Sequence, residues 1–485
     1  MIRIREKVVH AAVGNQYIRS CWLRIATISL LAMLFNLSGC AALPQMNADM
    51  FPAKRHPVAM VGARGPLSSS QSKAILKGLS NRSEETGIFE RHLALEEVVA
   101  GSPLTVSNRT TLLQDGEATY AAMFKAINAA KDHINLETYI IEDDDVGKKF
   151  ADALIQKQQQ GVQVALIFDS VGSLQTPKEF FQRLRDAGIK VLEFNPVNPL
   201  DTRKSWLVKH LVFQRDHRKL LIVDGQSVFL GGVNISNVYS SGSFVKRSSA
   251  DKKDHTPWRD THLLVEGPVV TEFQKLFMDT WKKQKGEPLL DRNYFPAQVP
   301  KGKEVVRAIG SSFDDGGGGQ MYNTLVSAIN SAETSVYLTN AYFAPDEQIM
   351  TALKEAVARS VDVKIILPAK TDSGLIFHAG RSFYDELLKA GIEIYERTDA
   401  LLHAKTALVD GVWSTIGSTN LDWRSFLHND EINAVVLSTA FAAQMNTMFE
   451  KDLVASERIT LQSWRARPLG LRVREQAARL WVYWL

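Results

Sequence analysis

The chain has 485 residues, of which 45% are apolar and 23% charged, the make-up of a globular protein with room for two or three domains and not of a disordered one. Its formal charge of +4 comes from the first 39 residues, where Arg3, Arg5, Lys7, Arg19 and Arg24 face only Glu6; the remainder is balanced, without the net basic excess of a nucleic-acid binder. The 2 cysteines, Cys21 and Cys40, lie outside the globular part and exclude a disulfide or a cysteine-based metal site within it.

Read from its start, the chain opens as a targeting segment. Basic residues precede the apolar run Ile25–Phe35, too short to span a bilayer as a helix but suited to a signal core. Leu37-Ser38-Gly39-Cys40 follows and resembles the bacterial lipobox. Residues 1–39 are expected to be a signal peptide, with Cys40 lipidated; the alternative is an uncleaved anchor from Ile25 to Leu43. Both place the protein beside a membrane of the cell envelope. Ala41 points toward outer-membrane sorting, and the choice of membrane stays open.

Residues 40–110 carry weak pattern, and after them the chain repeats itself. Ala126-Ile127-Asn128 precedes the β-rich run ending at Tyr139; Ala328-Ile329-Asn330 precedes the run ending at Tyr342. Each run is followed by a helical segment, Val146–Gln160 or Gln348–Ser360, then a strand, Val162–Asp169 or Val361–Leu367. Next come Phe181–Ala187 and Tyr384–Ala390, whose helices are expected to end at Gly188 and Gly391. Alternating strands and helices predict an α/β fold: two tandem domains with pseudo-twofold symmetry, each a mixed β-sheet flanked by helices. The expected limits are 111–286 and 305–458, with a proline-bearing linker at 287–304. The first half has an insertion, Asn195–Phe213, read as a loop beside the site. Gly316–Gly319 lacks the lysine of a phosphate loop and reads as a turn. The tail, 459–485, combines Trp464, Trp481 and Trp484 with Arg465, Arg467, Arg472, Arg474 and Arg479. That mixture suits a helix on an anionic membrane surface, or a helix docked on its own domain.

One frame occurs twice: His217-x-Lys219, Asp224, Gly231-Gly232-x-Asn234, and His403-x-Lys405, Asp410, Gly417-Ser418-x-Asn420. At ordinary residue frequencies one such six-position copy arises by chance about once in 10⁸ start positions. On a strand, residues two apart face the same side, so each histidine points with its lysine. The Asp-Gly pairs signal turns, where a structural role for Asp224 and Asp410 is favoured over proton transfer. Packing the halves together would gather two histidines, two lysines and two asparagines. Lysines and amides can hold the oxygens of a phosphodiester, one neutral imidazole can attack phosphorus, and the other can protonate the leaving oxygen. The two imidazoles must differ in charge, and Asp260 and Glu431, which open equivalent strands, are the expected orienting partners. His378, Arg381 and Tyr384 are further candidates for substrate contact.

These frames resemble the paired HKD motifs of the phospholipase D superfamily over most of residues 103–460. Leu112-Leu113-Gln114-Asp115-Gly116, Asn340–Asp346, Leu402-His403-Ala404-Lys405 and Gly417–Ser425 resemble its bacterial cardiolipin synthase branch. The resemblance implies two phospholipase D-like domains, with His217, Lys219, Asp224, His403, Lys405 and Asp410 at the catalytic motif positions. Asn234 and Asn420 then take the phosphate-binding positions. It further implies a phosphatidyl group moved from phosphatidylglycerol through a phosphohistidine to a second alcohol, with no metal or other cofactor and no nucleic-acid partner. Hydrolysis by a phospholipase D is the alternative; a nuclease of the superfamily fits less well.

Overall fold

The computed structural model describes residues 43, 58–80, 93, 101–196, 214–240, 256–312 and 319–485. Cys40 and its flanks, most of the insertion 195–213, and Gly316 to Gly318 lie outside them.

Each half builds a mixed sheet in the same order. In the first, Lys190–Phe194, Gln163–Asp169 and His133–Thr138 run parallel, followed by antiparallel Lys219–Val223, Ser227–Gly231 and Thr261–Glu266. In the second, Glu393–Arg397, Asp362–Pro368, Ser335–Asn340, Lys405–Val409, Trp413–Gly417 and Asn429–Leu437 repeat that order. The central strands are buried on both faces, which is why Gln163–Asp169 and Lys405–Val409 read as nearly continuous apolar runs and not as alternation. The expected mixed α/β architecture with two repeated halves is thus the fold. Gly188 (φ 88°) and Gly391 (φ 94°) take the left-handed conformation just past their helices, where a β-carbon would be strained.

One strand stitches the halves together. Leu104–Gln114 pairs with Thr261–Glu266 through residues 109–114 and with Glu304–Ser311 through Thr105 and Asn108. Ser107, at φ 67°, sits at the changeover. The sequence-based limit at residue 110 falls inside this strand. The sheets also share a core: Leu220, Ile222, Leu230 and Val265 of the first lie with Leu408, Ile416, Ala434 and Val436 of the second. Phe273, Phe277, Phe441 and Met445 close it from the helices Val270–Lys283 and Thr439–Val454. Each fully buried side chain of this size contributes about 1.5–3 kcal/mol, so the halves are held rigidly. The segment between them docks on the first half, with the Leu290 amide donating to Gln163 Oε1 at 2.5 Å.

The tail forms the helices Leu461–Arg465 and Leu469–Arg479. Trp464 is buried against Tyr384, ring centres 4.6 Å apart, and Arg467 grips Glu475 with both guanidinium nitrogens. The inner face of the tail therefore docks on the second half. Its outer face leaves Leu469, Val473 and Leu480 exposed by 60% or more, and a helical turn puts all three on one stripe.

Candidate active site

The two frames converge on one cavity of about 380 Å³ between the halves, lined by His217, His403, Asn234 and Asn420. The convergence has a backbone cause. Just before His217, Arg215–Asp216 crosses to pair in parallel with Asn429 and Asp430 of the other half, and the His217 amide donates to the Asp430 carbonyl at 2.9 Å. Just before His403, Leu401–Leu402 pairs in parallel with Trp258–Arg259, and the His403 amide donates to the Arg259 carbonyl at 2.8 Å. Each histidine is therefore laid beside the residue of the opposite half that carries a carboxylate.

The carboxylates are exchanged accordingly. His217 Nδ1 lies 3.1 Å from each oxygen of Glu431, and His403 Nδ1 lies 2.7 Å from Asp260 Oδ2. Holding Nδ1 leaves Nε2 of each ring for chemistry. The holders differ. Glu431 is anchored by the Ser418 hydroxyl and by Asn429 Nδ2 at 3.2 Å. Asp260 stands over Gly232, where a β-carbon would come within 2.0 Å of its Oδ1. The one difference between the copies of the frame, Gly232 against Ser418, is thus set by which carboxylate lies above it.

Lys219 and Lys405 are buried, each donating from Nζ to the carbonyl of its own histidine. Asn234 Nδ2 donates to the Tyr239 hydroxyl at 2.9 Å, and that hydroxyl lies 3.4 Å from His403 Nδ1. Asn420 Oδ1 has no partner among the described residues. Asp224 and Asp410 stand apart from the cavity. Asp224 accepts from the amides of Lys131, Asp132 and His133, and Asp410 from those of Glu333, Thr334 and Ser335. Each sits at positive φ (53° and 52°) and ties its turn to the start of the neighbouring strand. Of the remaining candidates, His378, Arg381 and Tyr384 do not line the cavity; Arg381 lies 3.5 Å from Glu396 and 3.7 Å from Glu475.

Burial and crowded cations shape the protonation of the site. His217 is pushed well below the ordinary imidazole range by desolvation, then by Lys219 and Lys405. His403 is pushed down by burial and Lys405, while Asp260 opposes the shift. Burial works against the Asp260 charge, but His403 and Lys405 outweigh it and keep its carboxyl below the usual range. Burial lifts Glu431 to about 7 even against Lys219. Desolvation lowers Lys219 to about 7 and Lys405 to about 8. The site is thus built around cations that burial disfavours, an arrangement an entering anion relieves.

Of the other cavity residues, Tyr139 and Tyr342 end the two repeated runs and Arg424 lies within Gly417–Ser425, whereas Arg215, Tyr239, Trp258 and Asp372 are not singled out as site candidates by the sequence. Tyr239 lies five residues beyond Asn234, where the second copy has Ser425, so no repeat marked it.

The chain matches the family described as cardiolipin synthase, PLD-like domain, over residues 123–242 and 325–453. It is 36% identical to a cardiolipin synthase of a Geobacillus species over 80% of this chain and 74% of that one. The chain belongs to the cardiolipin synthase family of phospholipase D-like enzymes. Cardiolipin synthase 1 of Bacillus anthracis is 34% identical across 85% of this chain and 81% of its own length. The structure of a phosphatidylserine synthase from Haemophilus influenzae superimposes with a TM-score of 0.58 over 80% of this chain and 99% of that one; at 14% identity it speaks for the fold alone. Both matched ranges contain one complete frame, so this member of the family keeps both halves of the paired site.

Proposed function

We propose that the protein makes cardiolipin from two molecules of phosphatidylglycerol through a phosphatidyl-histidine. The carrying observation is one cavity holding two imidazoles, each anchored at Nδ1 by a carboxylate of the opposite half. His217, neutral and backed by a carboxyl that is itself half-protonated near pH 7, is the nucleophile. His403, pushed down less far because the Asp260 carboxylate opposes the shift, is the ring that takes up and gives the proton once the anionic substrate is bound. In the first step His217 Nε2 bonds to phosphorus, the bond from phosphorus to the glycerol oxygen breaks, and His403 protonates the departing glycerol. In the second step a hydroxyl of another phosphatidylglycerol gives its proton to His403 and attacks phosphorus; the P–N bond breaks and cardiolipin leaves. Lys219, Lys405, Asn234 and Asn420 hold the non-bridging oxygens, where charge builds up. Water in place of the second lipid would yield phosphatidate, the outcome of the phospholipase D alternative.

The substrate brings a membrane with it, and the exposed stripe Leu469, Val473 and Leu480 supports contact with it. Its helix packs on Gly374–Arg381, Ile376 of which lines the cavity. Arg472 and Arg474, both exposed, suit an anionic surface. Lipidation at Cys40 and a place on the periplasmic side of the envelope belong to the same proposal. Among the described residues no helix is long and apolar enough to cross a membrane.

The test uses the purified protein with phosphatidylglycerol in vesicles, labelled at phosphorus to follow the phosphatidyl group and, in a parallel sample, in the headgroup to follow glycerol. Cardiolipin and free glycerol are the expected products. Phosphatidate alone favours hydrolysis, and DNA cleavage without lipid turnover sinks the lipid reading. Replacing either histidine by asparagine is expected to cut turnover by about 10⁴ or more. Covalent labelling should vanish only in His217→Asn; a labelled His217→Asn protein reverses the assignment.

A further inference from the structure

The cavity is not equally symmetric all the way round. Its reacting centre is paired, but its two side walls are not. The isolated bridges Ile141↔Ile235 and Phe343↔Leu421 follow the two asparagines by one residue, so they make Ile140 and Tyr342 structural counterparts. Both line the cavity. The first-half wall carries Ile140, then Val171 and Gly172 from the loop after Gln163–Asp169, beside Tyr139 and the cation Arg215, and no carboxylate of these elements lines it. In the second half the loop after Asp362–Pro368 instead contributes Asp372 and Ser373. The Tyr342 hydroxyl donates to the Asp372 carboxylate, 2.7 and 2.8 Å from its two oxygens, and the Tyr342 ring stands edge-on to His403 with centres 6.3 Å apart. Asp372 makes no ion pair among the described residues, although it opens onto the cavity. It is exposed at the rim, and the tyrosine fixes its direction while using one of its several acceptor positions.

We infer that Asp372, oriented by Tyr342, is the acceptor that recognises the free middle hydroxyl of the glycerol unit leaving or arriving on the His403 side. The inference rests on the phosphatidyl-transfer reading above. In that reading the alcohol oxygen served by His403 belongs to a glycerol in both steps, and its neighbouring hydroxyl lies one carbon further out. An anionic acceptor suits a neutral polyol and repels a phosphate, so this wall takes the alcohol. The first-half wall, with Arg215 and without a carboxylate, is left for the phosphate and the glyceride end of the donor lipid. A hydrogen bond from a hydroxyl to a charged acceptor is worth enough to discriminate about tenfold or more against an alcohol that lacks it.

The test compares glycerol with 1,3-propanediol, which lacks only the middle hydroxyl, as competing acceptors of the phosphatidyl group from phosphatidylglycerol in mixed micelles. The full-length protein is expected to prefer glycerol. In Asp372→Asn the ratio of phosphatidylglycerol to phosphatidylpropanediol formed from added alcohol should fall about tenfold, with transfer to propanediol reduced far less. Tyr342→Phe should lower the same ratio by a smaller factor, because the carboxylate remains but loses its fixed direction. An unchanged ratio in Asp372→Asn overturns the inference, as does an equal loss toward both alcohols. If the unsubstituted protein transfers to neither alcohol and makes no cardiolipin, it is the phosphatidyl-transfer reading that falls. A folded Asp372→Asn protein is recognised by an unchanged thermal unfolding transition and by the transfer to propanediol that it keeps.

Discussion

At the scale of single residues, the site sets charges against burial. Lys219 at about 7 and Lys405 at about 8 are cations held down by desolvation. A phosphodiester between them compensates that desolvation and lifts both. Below pH 6 the lysines are already charged without substrate; near pH 8 Lys219 is largely neutral and Lys405 about half-charged until the anion arrives. Binding of a non-reactive phosphodiester should therefore take up protons at pH 8 and much less at pH 6. Calorimetry in buffers of different ionisation enthalpy reads this directly, and proton release at pH 8 would contradict it. The histidines follow the same logic through their partners. Asp260→Asn removes the charge that lets His403 hold a proton, and a loss of turnover of about 10²–10⁴ is expected.

At the scale of elements, the hairpin after each H-x-K strand does two jobs at its two ends. The turn end is structural. Asp224 and Asp410 each accept three backbone amides from the neighbouring strand start. Asp224→Ala should cost about 2 kcal/mol in denaturant unfolding, more than its effect on kcat explains, since its carboxylate does not face the cavity. The glycine end is where the copies cease to be interchangeable. Gly232→Ser, which merely writes the second copy's residue into the first, drives a β-carbon against Asp260 and should reduce kcat at least about tenfold. Ser418→Ala removes one donor to Glu431 and should cost less. Equal losses would mean that the carboxylates, and not the space beneath them, account for the difference. The hairpins were legible in the sequence because strand period, Asp-Gly turn and small residues are all local. Their asymmetry was visible as a letter change but had no meaning until Asp260 was seen above it.

At the scale of the whole molecule, rigidity between the halves and contact with lipid are the two issues. The shared core and the strand Leu104–Gln114 hold the histidines across an interface without a hinge. The tail reaches the cavity through Trp484 and Leu485 and exposes its apolar stripe to solvent, and replacing Leu469, Val473 and Leu480 together by serine should weaken binding to anionic vesicles in flotation. Activity on micellar substrate should fall much less; a proportional loss in both assays would assign the tail to folding. Amphipathic composition alone left membrane contact and docking as alternatives, but the helix does not need to choose, since Trp464 and Glu475 face inward while the leucines face out. The sequence by itself determined the repeat, the α/β class and the paired H-x-K frames, because each is written in local periodicity and in a duplicated pattern. Only the tertiary structure decided which carboxylate holds which histidine, that the holders are exchanged between halves, and that Tyr342 and Asp372 make one wall of the cavity unlike the other. Those are contacts between residues 143 to 214 positions apart, or 30 for Tyr342 and Asp372, where sequence spacing carries no trace of distance.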